Sequence, residues 1–153
     1  MPALHTDDTD RLHAERAAVD TLYRAFNDRN PDLVDQALAA DWDDIPLAPG
    51  QGPGPQGFKP IIDAVIRAFP DVHIALHDVL QVPGRIGVRG EITGTHRGEL
   101  FGIAPTGRPV RFRIHDFHAL DGQRVTTTWH LEDWYALFRQ IGRFPALALQ
   151  EAA

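Results

Sequence analysis

The segment from Phe58 to Leu131 limits the fold more than any other part of the chain. Phe58, Ile61, Ile62, Val65, Ile66 and Phe69 form an unbroken apolar stripe at helical spacing. Pro70-Asp71 stops that helix. Strand-like stretches follow. Val72, Ile74, Leu76, Leu80 and Val82 mark the first, interrupted at Asp78, and Pro83-Gly84 turns the chain. Ile86, Val88 and Ile92 mark the second. Val110 to Leu120 and Val125 to Leu131 flank Asp121-Gly122, a two-residue hairpin signal. A helix with one apolar face must bury it, and an antiparallel sheet next in sequence offers the surface. The expected class is α+β, with the Phe58 helix packed on a sheet of at least four strands.

The flanks complete this pattern. A first helix opens near Thr9, with Asp10 in its first turn, and carries Val19, Leu22, Tyr23 and Phe26 on one face. It ends at Asn30-Pro31. Asp32 to Ala40 reads as a short second helix with Leu33, Val34, Ala37 and Leu38 inward. Pro46 to Gly57, rich in Pro and Gly, reads as a long surface loop. Gly94 to Arg108 is a Gly-rich connection with a helical turn at Glu99 to Gly102. A last helix starts near Asp133, places Trp134, Leu137, Phe138 and Ile141 on one face, and ends at Gly142 as its C′ residue. With 153 residues, 43% of them hydrophobic, the chain reads as one domain over 1–153 with its core at about 12–142.

Composition excludes several classes. The net charge is -6 and Lys59 is the only lysine, which argues against a nucleic-acid surface. Without cysteine there is no disulfide, thiolate nucleophile or Cys-ligated zinc, and without serine there is no Ser triad. The eight histidines lack the spacing of a metal site such as His-Glu-x-x-His, so no metal is expected. No apolar run approaches the ~20 residues that span a bilayer. The start, Met1 to Asp10, is acidic and polar, unlike a secretory leader, and points to a cytoplasmic location.

The hairpin carries the chemistry. If its turn has two residues, His115 sits opposite Thr128 and Arg113 opposite His130. Arg113, His115, Thr128 and His130 then share one face as a polar cluster, while Asp116 and His118 fall on the other as a surface pair. Polar groups on an inner face need partners, and a ligand can supply them. Trp129 reads as core packing or pocket wall. Asp133 reads as the N-cap of the last helix or as a base. Asp41, Asp43 and Asp44 surround Trp42, with Asp44 the one expected to face inward.

Gly94-Thr95-His96, the Asp121-Gly122 turn, Trp129-His130-Leu131-Glu132-Asp133 and Gln140-Ile141-Gly142 occur in an order that resembles the SnoaL-like polyketide cyclases of the nuclear-transport-factor-2-like superfamily. The resemblance covers roughly Leu12 to Gly142. It implies a cone: a curved antiparallel sheet wrapped around a long helix, with one central pocket. His96 would then be scaffold at the pocket edge. His115 matches the family's strand histidine before the Asp-Gly turn. The family's catalytic aspartate falls on His130, an imidazole where a carboxylate is expected, and Asp133 is the nearest replacement.

The resemblance thus implies catalysis by His115 and His130, with Asp133 next, and a pocket shared by Arg113, Thr128, Trp129, Asp44 and Trp42. Two neighbouring imidazoles should not both be charged, so at least one is expected to titrate below the ordinary value of about 6.5. The implied activity is cofactor-free acid/base chemistry on a small hydrophobic, polyketide-like substrate. Intramolecular aldol cyclisation is its specific form. A non-catalytic binder of an apolar molecule and an accessory or assembly domain are the alternatives. A homodimer through the convex sheet face is expected, because the helices cover only one side.

Overall fold

The computed structural model describes residues 6–146. The ends that the single-domain reading includes, residues 1–5 and 147–153, lie outside the described residues, as does half of the Met1 to Asp10 start. Helix α1 spans Thr6–Asn27, three residues earlier than its expected start. Its apolar stripe is buried through Val19, Leu22 and Tyr23. A 3-10 turn at Pro31–Leu33 follows, held by the Asn30 side chain, which accepts from Asp32 N–H.

The next segment departs from the expected helix. Helix α2 is only Val34–Ala37, and the chain then enters strand β1, Leu38–Ile45. In Asp41-Trp42-Asp43-Asp44 the side chains alternate, with Trp42 and Asp44 inward and Asp41 and Asp43 outward. Pairing with another strand wins over local helix propensity here. Helix α3, Gly54–Ala68, starts four residues before Phe58. Pro55 is no obstacle, since a first-turn residue needs no N–H partner.

Strands β2 (His73–Val82), β3 (Arg85–Thr95), β4 (Pro109–Leu120) and β5 (Val125–Glu132) complete a five-stranded sheet of order β1-β5-β4-β3-β2. It is curved and unclosed. Neighbours run antiparallel except β1, which lies parallel to β5. The interruption at Asp78 is a bulge, with the β2 register shifting between Leu76 and Asp78. The Gly94–Arg108 connection holds an isolated bridge between Leu100 and Ile103 in place of a helical turn.

Helix α4, Trp134–Ile141, is capped by Asp133 and ends at Gly142 in the left-handed conformation, as its spacing predicts. The fold is therefore the expected α+β cone, a curved sheet packed on helices. One core cluster joins α1, β1 and α3 to the sheet through Val19, Leu38, Trp42, Ile62 and Ile114. A second joins Phe69, Phe112 and Leu137 at the α4 end.

Glu15 anchors α1 to the β2–β3 turn. Its side chain has no solvent exposure, and its carboxylate accepts from Gly84 N–H at 2.9 Å and from Arg11 Nε at 2.9 Å. Glu15→Ala leaves the Gly84 N–H buried without a partner. It is expected to cost about 2 kcal/mol of stability in a denaturant titration.

Candidate active site

Between the helices and the concave sheet face lies a cavity of about 660 Å³. Phe26, Phe58, Phe69, Phe112 and Trp134 give it an aromatic wall. Its polar side is built from β1, β4 and β5. Asp44 enters from β1, Asp116 and His118 from β4, and Thr128, His130 and Glu132 from β5.

The register differs from the expected one. His118 lies opposite Thr128, Asp116 opposite His130, and His115 opposite Leu131. The turn is not two residues long. Asp121 Oδ1 accepts from the N–H groups of Gln123 and Arg124, Leu120 pairs with Val125, and the register shifts again before Ala119 pairs with Thr127. Relative to a two-residue turn the pairing slips by an odd number of residues, which moves every side chain of one strand to the other face of its partner.

The corrections follow from that slip. His115 and Arg113 stand exposed on the outer face, and Arg113 pairs there with Asp133 at 3.3 Å. Trp129 also faces outward. Asp133 lies off the cavity wall, and its Oδ1 accepts from Ala136 N–H at 3.1 Å as the α4 cap. Asp116 and His118, read as a surface pair, are buried inside. Trp42, Asp44, Thr128 and His130 all line the cavity. His96 lies in the interior beside Thr106, with its Nδ1 accepting from Thr106 N–H at 3.2 Å. Sequence reasoning missed the hydroxyl of Tyr23, Asp116, His118 and Glu132 as site groups. The signal was present in the strand itself: Val110, Phe112 and Ile114 share alternation with Asp116 and His118, while the other face carries Arg111 and Arg113.

Two networks lie side by side on this polar side of the cavity. In the first, Tyr23 Oη donates to Asp116 Oδ2 at 2.6 Å and lies 3.0 Å from His118 Nε2. His118 Nδ1 lies 3.0 Å from Thr128 Oγ1, which accepts from Trp42 Nε1 at 3.0 Å. Asp116 Oδ1 has no hydrogen-bond partner. Burial pushes the Asp116 carboxyl up to about 6, with the Glu132 charge adding and the Tyr23 hydrogen bond, the His130 charge and the Leu131 backbone N–H opposing. Burial, helped by the charge on His130, drives His118 down to about 4, so its imidazole is neutral. Burial and the Asp116 charge hold the Tyr23 phenol well above its ordinary value, so it stays protonated.

In the second network, His130 Nδ1 lies 2.8 Å from Glu132 Oε1. His130 Nε2 lies 2.8 Å from the Pro46 carbonyl and 3.4 Å from Asp44 Oδ1. Burial disfavours the charged ring, but the hydrogen bond and charge of Glu132, with Asp44 and the Pro46 carbonyl, outweigh it and push His130 up to about 9. His130 is thus an imidazolium with both N–H groups donating. Burial raises the Asp44 carboxyl, while Gln51 Nε2 donates to it at 2.8 Å and His130 opposes the rise. Among the described residues no group of His, Cys, Asp and Glu is arranged to hold a metal ion.

The SnoaL-like polyketide cyclase family matches residues 17–141, and the chain belongs to it. Solved structures share the fold at low identity. TsrD from Streptomyces laurentii superposes with a TM-score of 0.79 at 19% identity, covering 93% of this chain and 100% of that one. A candidate polyketide cyclase from Bacillus cereus gives 0.74 at 24% identity, covering 84% and 80%. A candidate SnoaL-like polyketide cyclase from a Jannaschia species gives 0.73 at 17%, covering 95% and 100%. None of the curated proteins matches the sequence significantly.

Proposed function

We propose that this single-domain protein is a cyclase-type enzyme that moves a proton next to a carbonyl of a small hydrophobic, polyketide-like substrate, with Asp116 as the base. The observation that carries the reading is the free Asp116 Oδ1, a buried acceptor without a partner on the wall of an aromatic cavity. A base must be largely ionised at working pH yet basic enough to take a proton, and a carboxyl at about 6 meets both conditions. Asp116 Oδ1 removes the proton from the carbon beside the carbonyl, the C–H electron pair forms the new C=C bond, and the carbonyl π pair moves onto the carbonyl oxygen, giving an enolate. The His130 imidazolium, cross-strand neighbour of Asp116, stabilises the developing negative charge. The enolate carbon then attacks a second carbonyl of the same molecule, forming the C–C bond. Asp116 returns its proton to the new alkoxide. The substrate's own carbonyl stabilises the carbanion, so the chemistry calls for no cofactor.

The test is a panel of aromatic polyketide methyl esters, scored for binding by quenching of the cavity tryptophans Trp42 and Trp134 and for cyclisation by mass spectrometry and NMR. Turnover supports the cyclase reading. Tight binding of the panel with no chemistry at any pH identifies the protein as a binder of apolar molecules.

The chain is also proposed to form a homodimer through its outer sheet face. Leu80, Gly87, Phe117, Trp129 and Ile45 are successive register partners across β2, β3, β4, β5 and β1. They form one row across the sheet, with Leu80 78% and Phe117 65% exposed. An apolar row of this length is costly in water and suits a two-fold partner. Light scattering at micromolar concentration should give the mass of a dimer, and Phe117→Asp with Leu80→Asp should give a monomer. A monomeric wild type ends the proposal.

A further inference from the structure

The groups behind Asp116 form a line with a direction. The Trp42 indole N–H can only donate, and Thr128 Oγ1 accepts it. From there the contacts run Thr128 Oγ1 to His118 Nδ1 at 3.0 Å, His118 Nε2 to Tyr23 Oη at 3.0 Å, and Tyr23 Oη to Asp116 Oδ2 at 2.6 Å. One end is a pure donor and the other, when ionised, a pure acceptor. Each hydroxyl and the neutral imidazole between them donates once and accepts once only if every proton points toward Asp116. That arrangement requires the Nε2–H tautomer of His118. The other tautomer aims two N–H groups at Thr128 Oγ1 and turns the Tyr23 proton back toward His118. It leaves lone pairs facing each other at the short Tyr23–Asp116 contact.

We propose that His118 is the positioning residue of this site: its tautomer keeps the Tyr23 proton on Asp116 Oδ2, so that Oδ1 alone is left to accept a proton from the cavity. This rests on the reading of Asp116 as the base. His118 is 1% exposed and offers the cavity no free nitrogen, since both ring nitrogens are engaged within the line. Tyr23 from α1, His130 and Glu132 from β5 and Asp44 from β1 are the other titratable groups on this side of the cavity, with Arg67 and Glu99 lining it elsewhere. Of these, Tyr23 alone bonds to Asp116. The line therefore acts on Asp116 through that one proton.

The test uses the ligand-free protein. In ¹⁵N-labelled wild type near neutral pH, long-range ¹H–¹⁵N spectra should show His118 protonated at Nε2 and bare at Nδ1. A ¹³C carboxyl titration should place Asp116 near 6. Thr128→Val removes the hydroxyl that fixes Nδ1 as an acceptor. It should mix the two tautomers and raise the Asp116 midpoint by about one pH unit. Tyr23→Phe should raise that midpoint while leaving the Nε2–H tautomer in place. A proton on Nδ1 in the wild type overturns the proposal, whether or not a variant folds. So does Thr128→Val with the tautomer and the Asp116 midpoint both unchanged. None of these readings involves turnover, so their failure is separate from a failure of Asp116 as the catalytic base.

Discussion

Asp116→Asn should lower turnover by about 10³-fold, the middle of the range for loss of a positioned base. An amide keeps the size of the carboxyl and can accept the Tyr23 hydrogen bond through its oxygen, but it cannot take a proton at the position of Oδ1. The same substitution should stabilise the fold above neutral pH. A carboxyl raised to about 6 is held above its unfolded value, so burial of this group is tolerated best when it is protonated, and stability is lost as pH rises through about 6. The shift of roughly two units corresponds to about 3 kcal/mol, an order-of-magnitude ceiling. Thermal unfolding should therefore show Asp116→Asn gaining on the wild type near pH ~8, keeping about half of that gain near pH ~5 and losing most of it near pH ~4. Loss of activity with a gain of stability is the mark of a charge kept buried for function.

His130→Gln is the second large effect. His130 is the one histidine on the cavity wall held in its charged form, set against Asp44, Asp116 and Glu132. Without it, the enolate loses its counter-charge, and turnover should fall by about 10²-fold. Asp116 also loses a neighbour that holds its carboxyl down, so the acid limb of the pH–rate profile should move above about 6. In the wild type the profile should be a bell, rising as Asp116 ionises near 6 and falling as His130 loses its proton near 9. The stability sign for His130 is the reverse of that for Asp116. Its folded value is raised by its partners, so its contribution is complete below about 6.5 and disappears as pH climbs through about 9. A profile that rises through 9 without a fall would remove His130 from the mechanism.

Most of the architecture was legible because it rests on long apolar periodicities. The Phe58 stripe, the β2 to β5 alternation and the Asp133 and Gly142 caps each repeat one physical rule over several residues. Strand β1 was not legible, since Leu38-Ala39-Ala40 suits a helix locally, Asp41 to Asp44 are acidic around one Trp, and the segment becomes a strand only by pairing with β5. The site was partly legible. Trp42, Asp44, Thr128 and His130 were named from sequence and line the cavity. His115 was named and does not line it. A hairpin's inner face depends on turn length by parity, and the two-residue reading of Asp121-Gly122 overrode the burial alternation of Val110, Phe112 and Ile114. Tyr23 was legible as core, yet its hydroxyl partner lies 93 positions along the chain, and no local pattern reports such a contact.

The most direct test asks whether the cavity moves a proton off carbon, whatever the natural substrate. An aryl β-keto methyl ester in D₂O, followed by ¹H NMR, reports exchange at the carbon between its two carbonyls. Wild-type protein should accelerate that exchange, with a rate that rises through about pH 6 as Asp116 ionises. Asp116→Asn should return it to the buffer rate while still binding the ester. Equal acceleration by wild type and Asp116→Asn, or a bound ester whose carbon never exchanges in the wild type, would contradict the assignment of Asp116 as the base.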